Sequence, residues 1–202
     1  MEFRDVVFRR RMTRAFRPEP VPPEIVARIV DLAVRAPTAG KSAGVEWLVL
    51  VEPDDVRSFF AATSDEGFLA DPGAMAGLLN AAAVLLPVAD AAAYVARYAE
   101  RDKAGSGLAG LAAGDWPVPY WLVDAAFSAM SVLLSAEDEG LGALFFRLHR
   151  PAGELERVFG VPKGRCLIGA IALGWAAEAG GSEGSATRRT RPQASMVHFG
   201  RW

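Results

Sequence analysis

The stretch from Tyr120 to about Glu139 carries the longest uninterrupted helical pattern in the chain, and it limits what can be built around it. Val123, Phe127, Met130, Leu133 and Leu134 recur at helical spacing, which predicts the face turned to the core. Ala125, Ala126, Ser128, Ala129 and Ser131 lie between them and are small enough for other elements to approach closely. Such a helix reads as central. Gly140-Leu141-Gly142 stops it and leads into a strand over 143–147.

Apolar runs at Glu46–Val51, Ala83–Val88 and Arg165–Gly174 predict further strands. Helices are expected over 2–12, with Phe3, Val6 and Val7 on one side, and from Pro23 to about Arg35, with Ile25, Val26, Ile29, Val30 and Ala33 buried. Others are expected from Pro53 to about Ala62, from an Asp71 cap and Pro72 to about Asn80, over 90–101 with Tyr94 and Tyr98 on one face, and from Pro151 to Phe159. Lys103–Gly114 is Gly/Ala-rich and runs into Trp116-Pro117-Val118-Pro119-Tyr120-Trp121. That segment suits either a pocket wall over a ring-shaped ligand or a surface loop anchored by Trp116 and Trp121. Residues 178–186 form a Gly/Ser linker, and the apolar terminus from Met196 to Trp202 is expected to dock on its own core or on a partner.

The chemistry-bearing feature is Arg9-Arg10-Arg11-Met12-Thr13-Arg14 at the end of the first helix, with a second cluster at Thr187-Arg188-Arg189-Thr190-Arg191. Guanidinium groups crowded together call for an anion such as a phosphate. The whole chain carries a net charge of -2, which argues against general nucleic-acid binding. Thr38-Ala39-Gly40-Lys41-Ser42-Ala43-Gly44, just before a strand, is a small-residue loop that lets backbone approach a flat ligand. Cys166 is the only cysteine and sits in an apolar run, so a buried strand thiol is expected and no intrachain disulfide can form. With only His149 and His198, and no ligand spacing around them, no metal site is expected; His149 reads as a loop residue. No apolar leader or spanning run is present, so a soluble, cytoplasmic protein is expected.

In order along the chain come Arg10-Arg11-Met12-Thr13-Arg14-Ala15-Phe16, a Pro-rich connector and helix, Ala36-Pro37-Thr38-Ala39-Gly40, Glu139-Gly140-Leu141-Gly142-Ala143 and an Arg-Arg-Thr-Arg-Pro tail ending in Trp. Together these resemble the FMN-dependent nitroreductase family, and the Trp-Pro-Val-Pro-Tyr-Trp segment is similar to its actinobacterial-type branch. The resemblance implies an α+β fold: a mostly antiparallel sheet flanked by helices, in a homodimer whose C-terminal arm wraps the partner. Residues 1–178 would be the flavin-binding domain, with a lid-like segment at 90–121, and 179–202 the linker and arm. It implies FMN as cofactor, NAD(P)H as reductant and a small-molecule acceptor of aromatic, nitro or quinone type, with no nucleic acid and no membrane involved.

By the same resemblance, Arg10, Arg11, Met12 and Arg14 would lie near the phosphate and pyrimidine side of the flavin, joined by Arg188, Arg189 or Arg191. Pro37, Thr38, Ala39 and Lys41 would line the ring or ribityl chain, and the backbone of Phe146 and Arg147 would lie near N5. Tyr94, Tyr98, Trp116, Tyr120 and Leu122 would shape the substrate side. No catalytic side chain is implied, because the flavin carries the chemistry. The chain departs from the family pattern at Lys41, Ala43, Leu122 and Arg147, where Asn, Gln, His and a small residue are common. Two other classes stay open on the residues: a non-catalytic or specialised flavin-binding protein on this scaffold, and an arginine-dependent module for another phosphate ligand.

Overall fold

The computed structural model describes residues 1–148, 153–177 and 196–201. Its pivot is β2 (Ala83–Ala89), all 7 residues of which are buried. A strand with no polar alternation must be covered on both faces, and this one is. Ala83 and Leu85 pack with Ile171, Leu173 and residues of α2 (Pro23–Ala33) and α6 (Tyr120–Asp138). Val84, Leu86 and Val88 face the other way, against Val56, Phe59 and Phe60 of α3 (Pro53–Thr63) and Leu155 of α7 (Gly153–Phe159).

The sheet runs β1-β2-β5-β3, where β1 is Val45–Leu50, β5 is Ala170–Gly174 and β3 is Gly142–Phe146; β4 (Cys166–Leu167) also pairs with β2. Every one of these pairings is antiparallel, as expected for an α+β fold of this kind. The expected single strand over 165–174 is instead two. Leu167 faces Val88 while Ile171 faces Leu85, so the 167–171 side holds one residue more than its partner, and the extra residue makes a bulge at Ile168-Gly169. Gly169 takes a φ of 147°, and a Cβ there would lie 2.6 Å from the Phe146 carbonyl oxygen. Cys166, at the start of this broken strand, is half-buried rather than buried.

Segment 12–17 crosses the opposite end of the sheet. The Thr13 amide donates to the Ala143 carbonyl at 2.9 Å, and Arg17 N donates to Trp175 O at 2.9 Å. Gly142 and Gly174 are cross-strand partners, and a Cβ on them would meet Thr13 and Phe16, so this glycine pair makes room for the crossing. Met12 therefore packs into both main core clusters.

The helix boundaries hold closely for α2, α3 and α6, but three expectations need correction. First, α6 buries Trp121, Asp124, Ala125, Ser128, Ala129, Val132, Leu133 and Ala136, whereas Phe127 and Met130 stay 51% and 45% exposed. Ala125, Ser128 and Ala129 face inward because α2 and β2 lie close against that side. Second, α1 is only Phe3–Arg9, and only Val6 of its apolar side is buried; Phe3 is 72% exposed. The chain leaves the helix at Arg10 to reach the sheet edge at Ala143. Third, 73–80 is a 3-10 helix preceded by an unforeseen short helix, α4 (Glu66–Ala70), capped by Asp65. Helix α5 spans Ala91–Tyr98, shorter than expected, and Asp90 caps it through Ala92 N.

Among the described residues no helix is long and apolar enough to cross a membrane, and no cluster of His, Cys, Asp or Glu could hold a metal ion. His149, Arg188, Arg189, Arg191 and most of the arm lie outside the described residues. Within 196–201, Phe199 is almost fully exposed.

Candidate functional site

The loop between α2 and β1 is rigid by construction. Residues Ala39–Lys41 form a 3-10 turn, and Gly40, Lys41 and Ala43 all have positive φ (63°, 57° and 50°). Two of these are non-glycine residues, a costly conformation that persists only when surroundings impose it. The surroundings are specific. Asp124 of α6 accepts the Ala39 amide on Oδ2 at 2.7 Å, and the same oxygen accepts the Tyr94 hydroxyl at 2.7 Å. Arg97 donates to the Gly40 carbonyl at 2.8 Å and is itself held by Asp102 and Glu100. Thr38 Oγ1 accepts from the Ala43 amide at 3.2 Å.

Tyrosine rings close the remaining gaps. A Cβ on Gly40 would sit 2.8 Å from the Tyr98 ring, and one on Gly44 would sit 2.6 Å from the Tyr94 ring. The clamp is reflected in titration behaviour. Burial, reinforced by the bond to Asp124, raises the Tyr94 hydroxyl well above an ordinary phenol. The hydrogen bonds from Arg97 hold the Asp102 carboxyl down at about 2. Behind the loop lies a cleft of about 250 Å³ lined by Ala36, Thr38, Ala43, Val45, Asp124 and Ser128, among others. Pro37 and Lys41 are exposed at the loop surface, and no described residue pairs with the Lys41 ammonium.

This geometry reassigns part of the expected substrate side. Tyr94 is wholly buried and Trp116 nearly so; Trp116 makes edge contacts with Tyr98 at 5.0 Å and Tyr120 at 6.2 Å. Both therefore pack against protein, and Trp116 and Trp121 anchor the segment before α6. Tyr98, Tyr120 and Leu122 are half-buried and retain surface to present. Asp124 and Arg97 carried no signal of ligand contact in the sequence. Their one available cue was polarity: Asp124 is a lone acid on the buried side of a helix, which demands partners.

The arginine cluster lies elsewhere. Arg11 folds back to donate to the carbonyls of Phe8, Arg9 and Arg10 at 2.7, 3.2 and 3.0 Å, capping the end of α1. Arg14 makes one long bond, 3.4 Å, to the Met12 carbonyl. Arg10 is half-buried, and its Nη1 is shut from solvent without an acceptor. The Met12 side chain is core, not a ligand for a phosphate. At the far end of β3 the Phe146 ring stacks on Phe60 at 6.4 Å and meets Phe59 edge-on at 6.2 Å, and Arg147 is exposed.

The two sets of expected cofactor residues thus stand at opposite corners of the sheet. Segment 10–14 joins edge strand β3 at Ala143, while loop 37–44 feeds the other edge strand at Val45. Three strand spacings separate β1 from β3, roughly 14 Å, and the register offsets the two points by about six residues, roughly 20 Å along the strands.

The Nitroreductase family matches residues 7–175 of the sequence. No curated protein matches it. Among solved structures, one described as a nitroreductase in complex with FMN from Desulfovibrio desulfuricans superimposes with a TM-score of 0.71 at 19% identity, covering 100% of this chain and 98% of that one. A nitroreductase family protein from Clostridium difficile 630 gives 0.70 at 17%, covering 100% of both chains. A structure from Bacteroides thetaiotaomicron, described as an NADH dehydrogenase/NAD(P)H nitroreductase, gives 0.69 at 17%, covering 100% and 99%.

Proposed function

This chain belongs to the nitroreductase family, and from that premise we propose that it is an FMN-dependent oxidoreductase acting as a homodimer. It would carry hydride equivalents from NAD(P)H through FMN to a small aromatic, nitro or quinone-like acceptor. The observation that carries this reading is the separation of segment 10–14 from loop 37–41 within one chain. Both sets serve one cofactor when two chains meet, one lending its arginines and the β3 edge, the other its clamped loop. An exposed apolar face supports the meeting. Phe3, Val7 and Phe8 of α1, Leu32 of α2 and Phe127 and Met130 of α6 are all open in the single chain, and α1 and α2 both pack on α6.

The residues present suit FMN. The buried, acceptor-free Nη1 of Arg10 is the kind of donor that a phosphate oxygen satisfies, and Arg14, with one long bond, has donors to spare. FMN, when bound, supplies the redox chemistry. The chain's own part is to hold and place it: Arg10, Arg11 and Arg14 toward the phosphate, Pro37, Thr38, Ala39 and Lys41 along the ring or ribityl side, and the backbone at Phe146–Arg147 at the ring edge. Arg188, Arg189 or Arg191 would join from the arm. Tyr98, Tyr120 and Leu122 would bound the acceptor. Such an enzyme, drawing on NAD(P)H, would act in the cytoplasm.

The deciding experiment is the absorbance spectrum of the purified protein, reconstituted with FMN, before and after anaerobic NAD(P)H. A yellow dimer bleached by the reductant is expected. Protein that stays colourless after incubation with FMN sinks the flavin reading, and a yellow protein that NAD(P)H cannot bleach would be a non-catalytic flavin-binding protein.

A further inference from the structure

We propose that Asp124 is a positioning residue for the cofactor loop, acting both by fixing the Ala39 amide and by holding a buried negative charge behind the ring-binding backbone. The inference rests on the FMN reading above. Asp124 is only 4% exposed, and its Oδ2 gathers donors from two distant segments, the loop at Ala39 and α5 at Tyr94. Among the described residues no basic side chain pairs with it, so these two donors alone offset its charge. Its other oxygen accepts from no described residue, and Asp124 lines the 250 Å³ cleft together with Thr38 and Ala43. Bonds of this length to a carboxylate are charge-assisted and hold their donors more firmly than neutral ones. The loop conformation at Lys41 and Ala43, with its positive φ, needs such a hold.

The charge itself has a consequence that shape does not. Reduction of a flavin adds negative charge, and a fixed negative group nearby in a water-poor site opposes it. Asp124 therefore keeps the cofactor harder to reduce, while Lys41, exposed on the same loop, pulls the other way. Asp124→Asn retains the shape and one acceptor oxygen but removes the charge. Tyr94→Phe retains the charge and removes one donor that offsets it. The two variants thus move the cofactor's midpoint potential in opposite directions, which a general loosening of the fold would not do.

The test uses the full-length protein reconstituted with FMN, with circular dichroism confirming the fold. FMN affinity is read by fluorescence and midpoint potential by dye-equilibrated reduction. Asp124→Asn is expected to weaken FMN binding on the order of tenfold and to shift the potential positive; Tyr94→Phe is expected to weaken binding less and to shift it negative. Wild-type affinity and potential in Asp124→Asn, or shifts of the same sign in both variants, overturn the inference. Should Asp124→Asn not fold, Tyr94→Phe decides alone: a negative shift supports the inference, and a zero or positive shift overturns it. Failure of the wild type to bind FMN is seen before any variant is made and counts against the flavin reading itself.

Discussion

Gly44→Ala tests whether the clamp around loop 38–44 is as tight as its geometry implies. Gly44 has ordinary backbone angles, so the substitution probes space and not φ. The added methyl would lie 2.6 and 2.9 Å from Tyr94 Cε2 and Cδ2 and 3.0 Å from the Asp90 carbonyl oxygen. Comfortable carbon contacts begin near 3.5 Å, so either the ring or the backbone must yield by roughly 1 Å. The ring has nowhere to go, because Tyr94 is wholly buried and its hydroxyl is tied to Asp124 at 2.7 Å. The backbone is tied too, since Gly44 O accepts from Asp90 N at 2.8 Å. Overpacking of such a site costs about 1–3 kcal/mol, and with both neighbours fixed the upper half of that range is expected. At about 2–4 °C per kcal/mol for a chain of this length, the Tm should fall by about 4–12 °C. Gly105→Ala, where a Cβ meets nothing within 4 Å, is the matched control and should be neutral within about 0.5 kcal/mol. Differential scanning calorimetry of both variants decides the matter. If Gly44→Ala melts within about 1 °C of the wild type, the loop is not held as described, and the case for Asp124 as its anchor weakens with it.

Ser128→Ala removes a hydroxyl that accepts from Trp47 Nε1 at 3.0 Å and donates to Ala33 O at 2.8 Å, joining β1, α6 and α2. A loss of about 1–3 kcal/mol is expected, seen as a lower urea midpoint at unchanged slope; an unchanged midpoint would refute it. Phe127→Lys places a charge on the exposed apolar side of α6. It should convert the proposed homodimer to monomer in light scattering after gel filtration, and an oligomeric state equal to that of the wild type would move the proposed interface elsewhere. The third concerns acid. Because Arg97 depresses the Asp102 carboxyl from 3.8 to about 2, the stabilisation it contributes is complete above about pH 4 and is lost as pH falls toward 2. Thermal melts of Asp102→Asn should therefore sit below wild type near neutrality and converge with it near pH 2; a constant gap would show that this pair does not matter.

Loop 38–44 and the arginine segment were both visible as local composition, since small residues and clustered charge need no partner to be noticed. Their mutual placement was not. Arg10 and Thr38 are close in sequence, yet the sheet order β1-β2-β5-β3 sends them to opposite corners. Tyr94 and Tyr98 share a helix face as their spacing implies, but periodicity cannot tell a ring that meets a ligand from one that meets a glycine. Phe127 and Met130 show the same limit: a helical apolar stripe does not say which of its members the tertiary packing covers. The Phe146 ring enters the Phe59–Phe60 cluster, a contact between segments far apart in the chain that no local pattern announces.

By itself the sequence determined the family and most of the elements: 3.6- and 2-residue periodicities, proline and glycine punctuation, and four short motifs in order are local properties that survive without coordinates. Only the tertiary structure decided what each polar residue is for. Asp124, Arg97 and Ser128 matter because chain segments distant in sequence bring donors and acceptors to them, and the need to satisfy a buried polar group can be met only where those segments meet.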